Sequence, residues 1–429
     1  FSYYGMRAIL TLFLAAPVIM GDPQSGYGWS NVETLSFYGT YTMFVYLTSI
    51  PGGWIADKFI GQKKAVMLGG LLLCFGHGIL AVDAQWAFFT GLILIVLGVG
   101  FLKPNISTMV GGLYKQGDGK RDIGFYIFYM GINVGAFLGA LIVGAVAAKY
   151  GWHYGFGLAG IGMALGQVMY MLGLKHLEGV GDFIGAQDSP DKDLLKKPLT
   201  KVEKDRMLVM FLSFLIIIVF WGAFEQAGGL MSLYTEQKTD RLLSFTLPLI
   251  GNEIPAAVFQ SINAFFIIVL AAFIGGFWFK WAKKGKESSS LFKMAIGLII
   301  MAFGFFFMSK ASTEVVMDGD NVIEKSAMVW LVLAYLFHTI GELCASPVAL
   351  SFITKLAPVK YAAFMMGAYF AATGLGNKVA GFVGSMSDGA GEFQVFTGIA
   401  IFCILFGVLI IAILKPLKRL THGAEDIQA

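Results

Sequence analysis

The sequence predicts an all-α membrane protein with twelve spanning helices in two halves of six. Of its 429 residues, 57% are hydrophobic and 14% charged, whereas soluble domains average roughly 45–50% and about 25%. The apolar residues form long runs, not the alternating pattern of a membrane β-barrel. The 55 glycines suit helices that pack closely in lipid. These observations exclude a soluble enzyme, a collagen and a disordered protein.

The span limits follow from the need for about 20 mostly apolar residues to cross a bilayer. The runs place spans 1 to 12 at 1–20, 34–55, 65–83, 86–110, 123–147, 154–174, 207–233, 255–279, 291–308, 328–354, 361–385 and 393–414. The chain opens on an apolar run with no charged segment or cleavage site, which is not a signal peptide, and we expect it to begin inside span 1. The predicted organisation is an N-terminal bundle at 1–174, a polar linker at 175–206, and a C-terminal bundle with a short tail at 207–429.

Orientation follows from basic residues, which accumulate in cytoplasmic loops. The loops after spans 2, 4, 8 and 10, the linker and the tail carry most of them. The opposite loops carry only Lys149, Lys238, Arg241, Lys310 and Lys325. Both termini and the linker are therefore predicted to be cytoplasmic. The net charge of +4 is too small and too segregated by topology to indicate nucleic-acid binding.

The functional candidates are the charged residues inside spans, which are Arg7, Lys103, Glu225, Glu342 and Lys378. An isolated charge at the bilayer centre costs at least ~2.5–3.5 kcal/mol, so such residues usually face a cavity and carry function. Counting 1.5 Å per residue from the loops puts Arg7, Lys103 and Glu342 near the midplane. Glu225 falls in the outer half of span 7, and Lys378 is close enough to the surface to snorkel.

Two cations and one anion at similar depth suggest a ligand that carries both charges. A zwitterion would place its carboxylate on Arg7 and Lys103 and its ammonium on Glu342, each through charge-assisted contacts. The alternative is a purely structural buried ion pair. No metal-ligand spacing, phosphate-binding loop or nucleophile triad is present, which predicts neither a metal site nor an enzyme.

The segment GGWIADKFIGQKK between spans 2 and 3 resembles the loop signature of the major facilitator superfamily. Its members are Gly53, Asp57, Gly61, Lys63 and Lys64. The glycines permit a tight turn, and the charges can pair at the cytoplasmic surface. A generic charged turn is the alternative interpretation.

Five ordered motifs resemble the proton-dependent oligopeptide transporter family of that superfamily. They are FSYYGMR, FLKPN, FYIFYMGINVGAF, FWGAFEQ and GELCASPVALSFITKLAP, and the resemblance covers essentially the whole chain. It implies alternating access and proton-driven uptake of di- and tripeptides, with peptide-like drugs as further ligands. The proton is the coupling ion and no cofactor is expected. The implied protein is a monomer in the bilayer of a bacterial inner membrane.

The resemblance also assigns site residues. Tyr3, Tyr4, Arg7 and Lys103 match the residues that bind the peptide carboxylate, and Glu342 matches the acid that holds the peptide amine. The remaining implied binding residues are Asn133, Asn263, Ser346 and the pocket aromatics Tyr46, Phe125, Tyr129, Trp221 and Tyr369. Flat apolar walls suit a site that tolerates varied side chains. Ordinary packing is the alternative for each aromatic.

Three departures from the family pattern concern proton coupling and topology. The family's paired acids and arginine precede FSYYG and so lie before Phe1. Gly39 stands where mammalian-type members carry a histidine of helix 2, so such a histidine is not the proton carrier here. The linker is short and polar for the two extra helices of many bacterial members.

Glu225 and Arg7 are the predicted coupling residues that this sequence contains. An opposite charge nearby favours an ionised carboxylate, and burial without one favours the protonated form. A peptide carboxylate that draws Arg7 away would therefore ease protonation of Glu225 and weaken an outer gate. A static buried pair is the alternative.

Two other functions stay open from the sequence. One is a proton-driven exporter of other solutes, and the other is a non-transporting membrane receptor on the same fold. The pair Arg7 and Lys103, suited to gripping a carboxylate, argues against export of cationic drugs.

Overall fold

The computed structural model describes residues 1–114, 120–182, 198–248, 250–319, 321–358 and 361–425. Most of the predicted linker, 183–197, lies outside the described residues, as do the predicted loop residues Lys115 and Lys360. The helices are α1 Ser2–Ala15, α2 Asn31–Leu47, α3 Ser49–Ile55, α4 Gln62–Leu80, α5 Gln85–Gly112, α6 Lys120–Tyr150, α7 Trp152–Gly173, α8 Lys201–Phe224, α9 Leu230–Lys238, α10 Ala256–Phe259, α11 Ser261–Lys283, α12 Ser290–Ser312, α13 Met328–Leu356, α14 Ala362–Ser385, α15 Ser387–Ala390, α16 Glu392–Ala412 and α17 Leu414–Arg419.

Short irregular and extended elements lie between these helices. A π-helical turn occupies Ala56–Ile60, and 3-10 turns occupy Leu174–His176 and Glu225–Ala227. The strands are β1 Thr239–Asp240, β2 Leu242–Leu247, β3 Gly251–Glu253, β4 Val316–Asp318, β5 Asn321–Glu324 and β6 Ser326–Ala327. They form three two-stranded sheets, β1 with β6, β2 with β3 and β4 with β5.

Each of the twelve predicted spans coincides with helix, and nine helical stretches of the described chain are long and apolar enough to cross a membrane. Several limits differ from the prediction, and two of the differences have a clear local cause. Helix α1 ends at Ala15 and not at 20, because Ala16 precedes Pro17 and leaves the helical region with ψ of 140°. Helix α8 begins at Lys201 and not at 207, because Thr200 and Glu203 form a reciprocal capping box.

The chain divides into two compact units, Phe1–Ser189 with Arg241–Phe265, and Pro190–Asp240 with Phe266–Ala429. In the first unit α1 packs on α6 and α7, α4 packs on α5 and α7, and α10 packs on α6. In the second unit α12 packs between α13 and α16, and α14 packs on α8. The domain limits drawn from the sequence stay a prediction.

Glycines let helices of each unit approach at backbone distance, next to the charged residues inside the spans. A Cβ at Gly5 would lie 2.6 Å from the side chain of Val143, so α1 and α6 touch beside Arg7. A Cβ at Gly297 of α12 would lie 2.6 Å from the carbonyl oxygen of Gly341. Gly341 directly precedes Glu342, so this contact fixes the backbone that carries the acid.

A parallel strand pair in the second unit joins the end of α9 to the start of α13. Thr239 pairs with Ser326 in β1 and β6. The Tyr234 hydroxyl donates to Ser326 Oγ at 3.1 Å, and Ser326 Oγ donates to the Lys238 carbonyl at 3.1 Å. Lys238 Nζ also pairs with Glu392 Oε1 of α16 at 2.5 Å. The ends of three helices are thereby held together.

Candidate binding site

In the first unit, Arg7 lies on α1 among aromatic rings. Its side chain is 9% exposed, and its Cζ lies 5.7 Å from the ring centroid of Tyr4. The rings of Tyr3 and Tyr4 meet edge to face, with centroids 5.6 Å apart. A guanidinium over a ring face is attracted by the ring quadrupole. The structure therefore brings together three residues that the sequence assigned to carboxylate binding.

Lys103, on α5, lies over the ring of Tyr46. Its Nζ is 3.9 Å from the Tyr46 ring centroid, and Tyr46 is buried. Tyr46 was assigned to the pocket by family resemblance alone, and the structure makes it the aromatic partner of the lysine. Lys103 is half-buried, so this cation–π contact is worth between about 0.5 and 2 kcal/mol.

Backbone contacts between α3 and α5 set this pair in place. Pro104 lies inside α5 and has no N–H, so it cannot donate to the carbonyl of Gly100. A Cβ at Gly52 of α3 would overlap that same carbonyl oxygen. The Thr48 hydroxyl, between α2 and α3, donates to the Val96 carbonyl at 2.9 Å. Together these contacts hold the end of α2, with Tyr46, against the Lys103 turn.

The predicted residues of α6 follow one helix face at four-residue spacing, Phe125, Tyr129 and Asn133. Asn133 is buried, and its Nδ2 donates to the Tyr129 carbonyl at 2.9 Å. The aromatic residues are half-buried, as is Asn263 at the start of α11. Asn263 falls in the segment Arg241–Phe265, which belongs to the first unit by contact.

In the second unit, Glu225 lies where α8 changes into a 3-10 turn. Its side chain is 2% exposed. The adjacent Gln226 is also buried, and its Nε2 donates to the carbonyls of Gly222 at 3.2 Å and Ala380 at 2.9 Å. The break in α8 is thus held by a side chain that reaches α14. One turn earlier, Trp221 packs against Gly376 of α14, where a Cβ would lie 2.7 Å from Trp221 Cβ.

Glu342 lies in the middle of α13 and is 9% exposed. Ser346 follows it by four residues, on the same helix face, and is half-buried. Pro347 lies inside the helix directly after Ser346. Trp278 Nε1 of α11 donates to Cys344 Sγ at 3.3 Å, which fixes the turn after Glu342 from a second helix. Tyr369 of α14 is buried, and Lys378, further along the same helix, is half-buried.

The loop motif, which runs from α3 into the start of α4, contacts the segment that follows α7. Gly61 has φ of +78°, a conformation that favours glycine, and it joins the π-helical turn to α4. Lys63 Nζ pairs with Asp182 Oδ1 at 2.8 Å, and the Lys63 N–H donates to the Gly181 carbonyl at 2.9 Å. The hydrogen bond from Lys63 holds the pKa of Asp182 below its usual value. Asp57 and Lys64 are exposed.

Sequence reasoning missed Gln226 and Tyr41. Gln226 fixes the turn at Glu225, and the signal for it was an amide beside an acid inside an apolar span. Tyr41 is buried on α2 within electrostatic range of Tyr3 and Arg7. It was hidden because a tyrosine in a span usually packs against its neighbours.

Among the described residues, no group of His, Cys, Asp and Glu could hold a metal ion.

The chemistry of each unit is distinct. The first unit presents the buried Arg7 and the half-buried Lys103 over tyrosine rings together with a buried asparagine, a set suited to a carboxylate. The second presents two buried carboxylates near tryptophan and tyrosine, a set suited to an ammonium group. Which of these side chains contact a ligand stays a prediction.

Known proteins resemble the chain over almost its whole length. The model of the POT family matches residues 63–183 and 193–398. The peptide transporter YePEPT of Yersinia enterocolitica is 33% identical, over 100% of this chain and 94% of that protein. The di-/tripeptide transporter of Lactococcus lactis subsp. lactis is 31% identical, over 98% of this chain and 93% of that protein.

A solved structure supports the same comparison. A crystal structure of a mutant of peptide transporter POT in complex with alafosfalin superposes with a TM-score of 0.83 at 31% identity. The match covers 98% of this chain and 92% of that one.

Proposed function

The chain belongs to the POT family of membrane transporters, and we propose that it is a proton-coupled symporter that imports di- and tripeptides by alternating access. It is an integral membrane protein with the fold of the major facilitator superfamily. Relatives named as peptide and di-/tripeptide transporters support the substrate class. The complex with alafosfalin supports peptide-like drugs as further ligands.

The observation that carries the proposal is that Arg7 and Lys103 belong to one unit and the acids inside the spans to the other. Arg7 and Lys103 offer cations over the rings of Tyr4 and Tyr46. Glu342 offers a buried carboxylate on α13. A small peptide carries a positive amino terminus and a negative carboxyl terminus. Both termini are present whatever side chains the peptide has. A site that grips the termini therefore accepts many peptides.

The coupling step is proposed to use Glu225. In this proposal Glu225 carries the proton while the peptide carboxylate engages Arg7. Release of the proton on the inner side resets the cycle. The proton is the only coupling ion in this proposal, and neither a cofactor nor catalysis is part of it.

The proposed location is the bacterial inner membrane, with both termini in the cytoplasm and a monomer as the functional form. The distribution of basic loop residues supports this orientation. Reaction of single cysteines placed in the tail and in the β4–β5 hairpin with an impermeant reagent tests it. Labelling of the tail in intact cells would contradict it.

Uptake into vesicles tests the function. Purified protein is reconstituted and given an inward proton gradient, and accumulation of labelled dialanine is measured. Accumulation that a protonophore abolishes is the expected result. Substrate movement against the direction of the proton would indicate an exporter, and binding without flux would indicate a receptor.

A further inference from the structure

A cluster of lysines surrounds the end of α11 in the second unit. Lys280, Lys283, Lys284 and Lys286 are exposed within seven positions of the chain. We call these four residues the α11 lysine cluster. None of them forms an ion pair within the described part of the chain.

Two lysines of the cluster lie over aromatic rings at the end of α11. Lys283 Nζ lies 4.6 Å from the ring centroid of Phe279, and Lys286 Nζ lies 4.1 Å from that of Trp281. Trp281 Nε1 donates to the Glu287 carbonyl at 2.9 Å, which closes the loop on the helix end. Two of the four ammonium groups, those of Lys283 and Lys286, are thus held in place before any anion arrives, so that less side-chain freedom is lost on binding.

The acid nearest in sequence is already engaged. Glu287 Oε2 accepts from Lys418 Nζ of α17 at 2.8 Å, and Glu287 Oε1 accepts from the Ser289 N–H at 2.8 Å. Lys293 of α12 adds a fifth positive charge, with its Nζ 5.5 Å from the ring centroid of Trp278. The surface around the loop is therefore mainly positive, with Glu287 and Glu425 as its acids, and Glu425 Oε1 accepts from the Ser290 N–H at 3.0 Å.

The helix face that leads to the cluster is apolar and exposed. Phe273 is 71% exposed, Phe277 50% and Phe279 61%. In a spanning helix these rings face lipid hydrocarbon, and lysines at the helix end lie at the headgroup level. A ligand that fits both parts carries an anionic head and hydrocarbon chains, which a free anion or a nucleic acid does not.

We propose that the α11 lysine cluster binds the phosphate headgroup of an anionic phospholipid, whose acyl chains lie along Phe273 and Phe277. Lysines beside a membrane surface each strengthen the attraction to anionic lipid. Four of them, two in the last turn of α11 and two in the loop that follows, give a preferred position for one lipid species. The inference depends only on the chain spanning a bilayer, not on which solute it transports.

Lipid retention tests the proposal. Protein purified in a neutral detergent is titrated with phosphatidylglycerol, phosphatidylcholine or inorganic phosphate, and bound lipid is counted by native mass spectrometry. We expect wild type to retain phosphatidylglycerol and not phosphatidylcholine, and inorganic phosphate not to displace the lipid. Retention of both lipids alike, or displacement by inorganic phosphate, would overturn the proposal.

A matched pair of variants locates the site. In the first, the four cluster lysines are changed to Gln, and affinity for phosphatidylglycerol should fall on the order of 100-fold. In the second, four exposed cations at the same end of the unit, Lys201, Lys204, Lys415 and Arg419, are changed to Gln, which removes the same charge.

The second variant should retain lipid like wild type. An equal loss in both variants would show a general charge effect and remove the cluster as a site. The thermal midpoint without lipid is measured for each variant, so that loss of lipid is separated from loss of fold.

Discussion

The two units stabilise buried charge in different ways. The first places cations over aromatic faces, Arg7 over Tyr4 and Lys103 over Tyr46. The second places Glu225 at a 3-10 turn and Glu342 within α13, five residues before Pro347. An aromatic face is negative and attracts a cation, but it repels a carboxylate. A buried acid must therefore find its support in the backbone and in polar neighbours.

Removing a cation inside the spans should have the largest effect on uptake. Changing Lys103 to Ala should lower proton-driven uptake of dialanine by about 100-fold, because the peptide carboxylate loses a charge-assisted contact worth up to about 3 kcal/mol. The control is Lys58→Ala. Lys58 Nζ lies 5.0 Å from the ring centroid of Trp54, but both side chains are exposed. Equal uptake by the two variants would remove Lys103 from the site.

The same substitution at the two acids should separate binding from coupling. Glu342→Gln should weaken peptides with a free amine about 10–100-fold more than N-blocked peptides, because only the former lose an ion pair. Glu225→Gln mimics the protonated acid, so peptide exchange should persist while accumulation is lost. Binding and counterflow assays measure both. A Glu225→Gln protein that concentrates dipeptide against its gradient would place coupling at another residue.

Close helix packing is common to both units, and its loss should cost stability in each. Gly52→Ala in the first unit and Gly297→Ala in the second should each lower the free energy of unfolding by about 1–3 kcal/mol, because the added Cβ meets a carbonyl oxygen. Gly275→Ala is the control, since its Cβ would enter open space. Thermal unfolding in detergent measures all three. A neutral Gly52→Ala would show that α3 and α5 can separate without cost.

The smallest effect is expected from the ion pair between α17 and the loop after α11. Partial burial opposes ionisation of Glu287, but hydrogen bonds from Lys418 and the Ser289 N–H outweigh it and lower its pKa to about 2. A lowered folded-state pKa means that the pair stabilises the fold above pH 4.5. This contribution is lost as the pH falls from 4.5 toward 2.

Lys418→Gln should therefore lower the thermal midpoint by no more than a few degrees at pH 7 and flatten its decline below pH 5. Lys63→Gln, which removes the partner of exposed Asp182 in the first unit, should do still less. Parallel pH profiles for wild type and Lys418→Gln would contradict the assignment.

Hydropathy predicted the fold well because every segment that crosses lipid must be apolar and must satisfy its own backbone hydrogen bonds, which favours a helix of about 20 residues. All twelve segments are helical, from α1 to α16. The break at Glu225 was not predictable, because Gln226 reaches the Ala380 carbonyl far along the chain. The strands β1 to β6 were missed as well, because pairs such as Thr239 with Ser326 join segments that no local pattern connects.

The candidate site was predictable in part, because crossing lipid also restricts where charged side chains can lie. Arg7, Lys103 and Glu342 stand out because charge inside a span is costly. Tyr46 came only from family resemblance, since an aromatic residue in a span carries no signal of its own. The close approach of Gly52 to the Gly100 carbonyl was not predictable, because sequence spacing does not show which helix packs against α3.

The strand pair between Thr239 and Ser326 makes the second unit stiff at one end. Tyr234, Ser326 and the Lys238 carbonyl form a buried chain of hydrogen bonds, and Lys238 also anchors α16 through Glu392. The strand pair links the end of α9 directly to the start of α13, so a displacement of one helix end also moves the other. The helix that follows the Glu225 turn and the helix that carries Glu342 are therefore tied to each other at a common end.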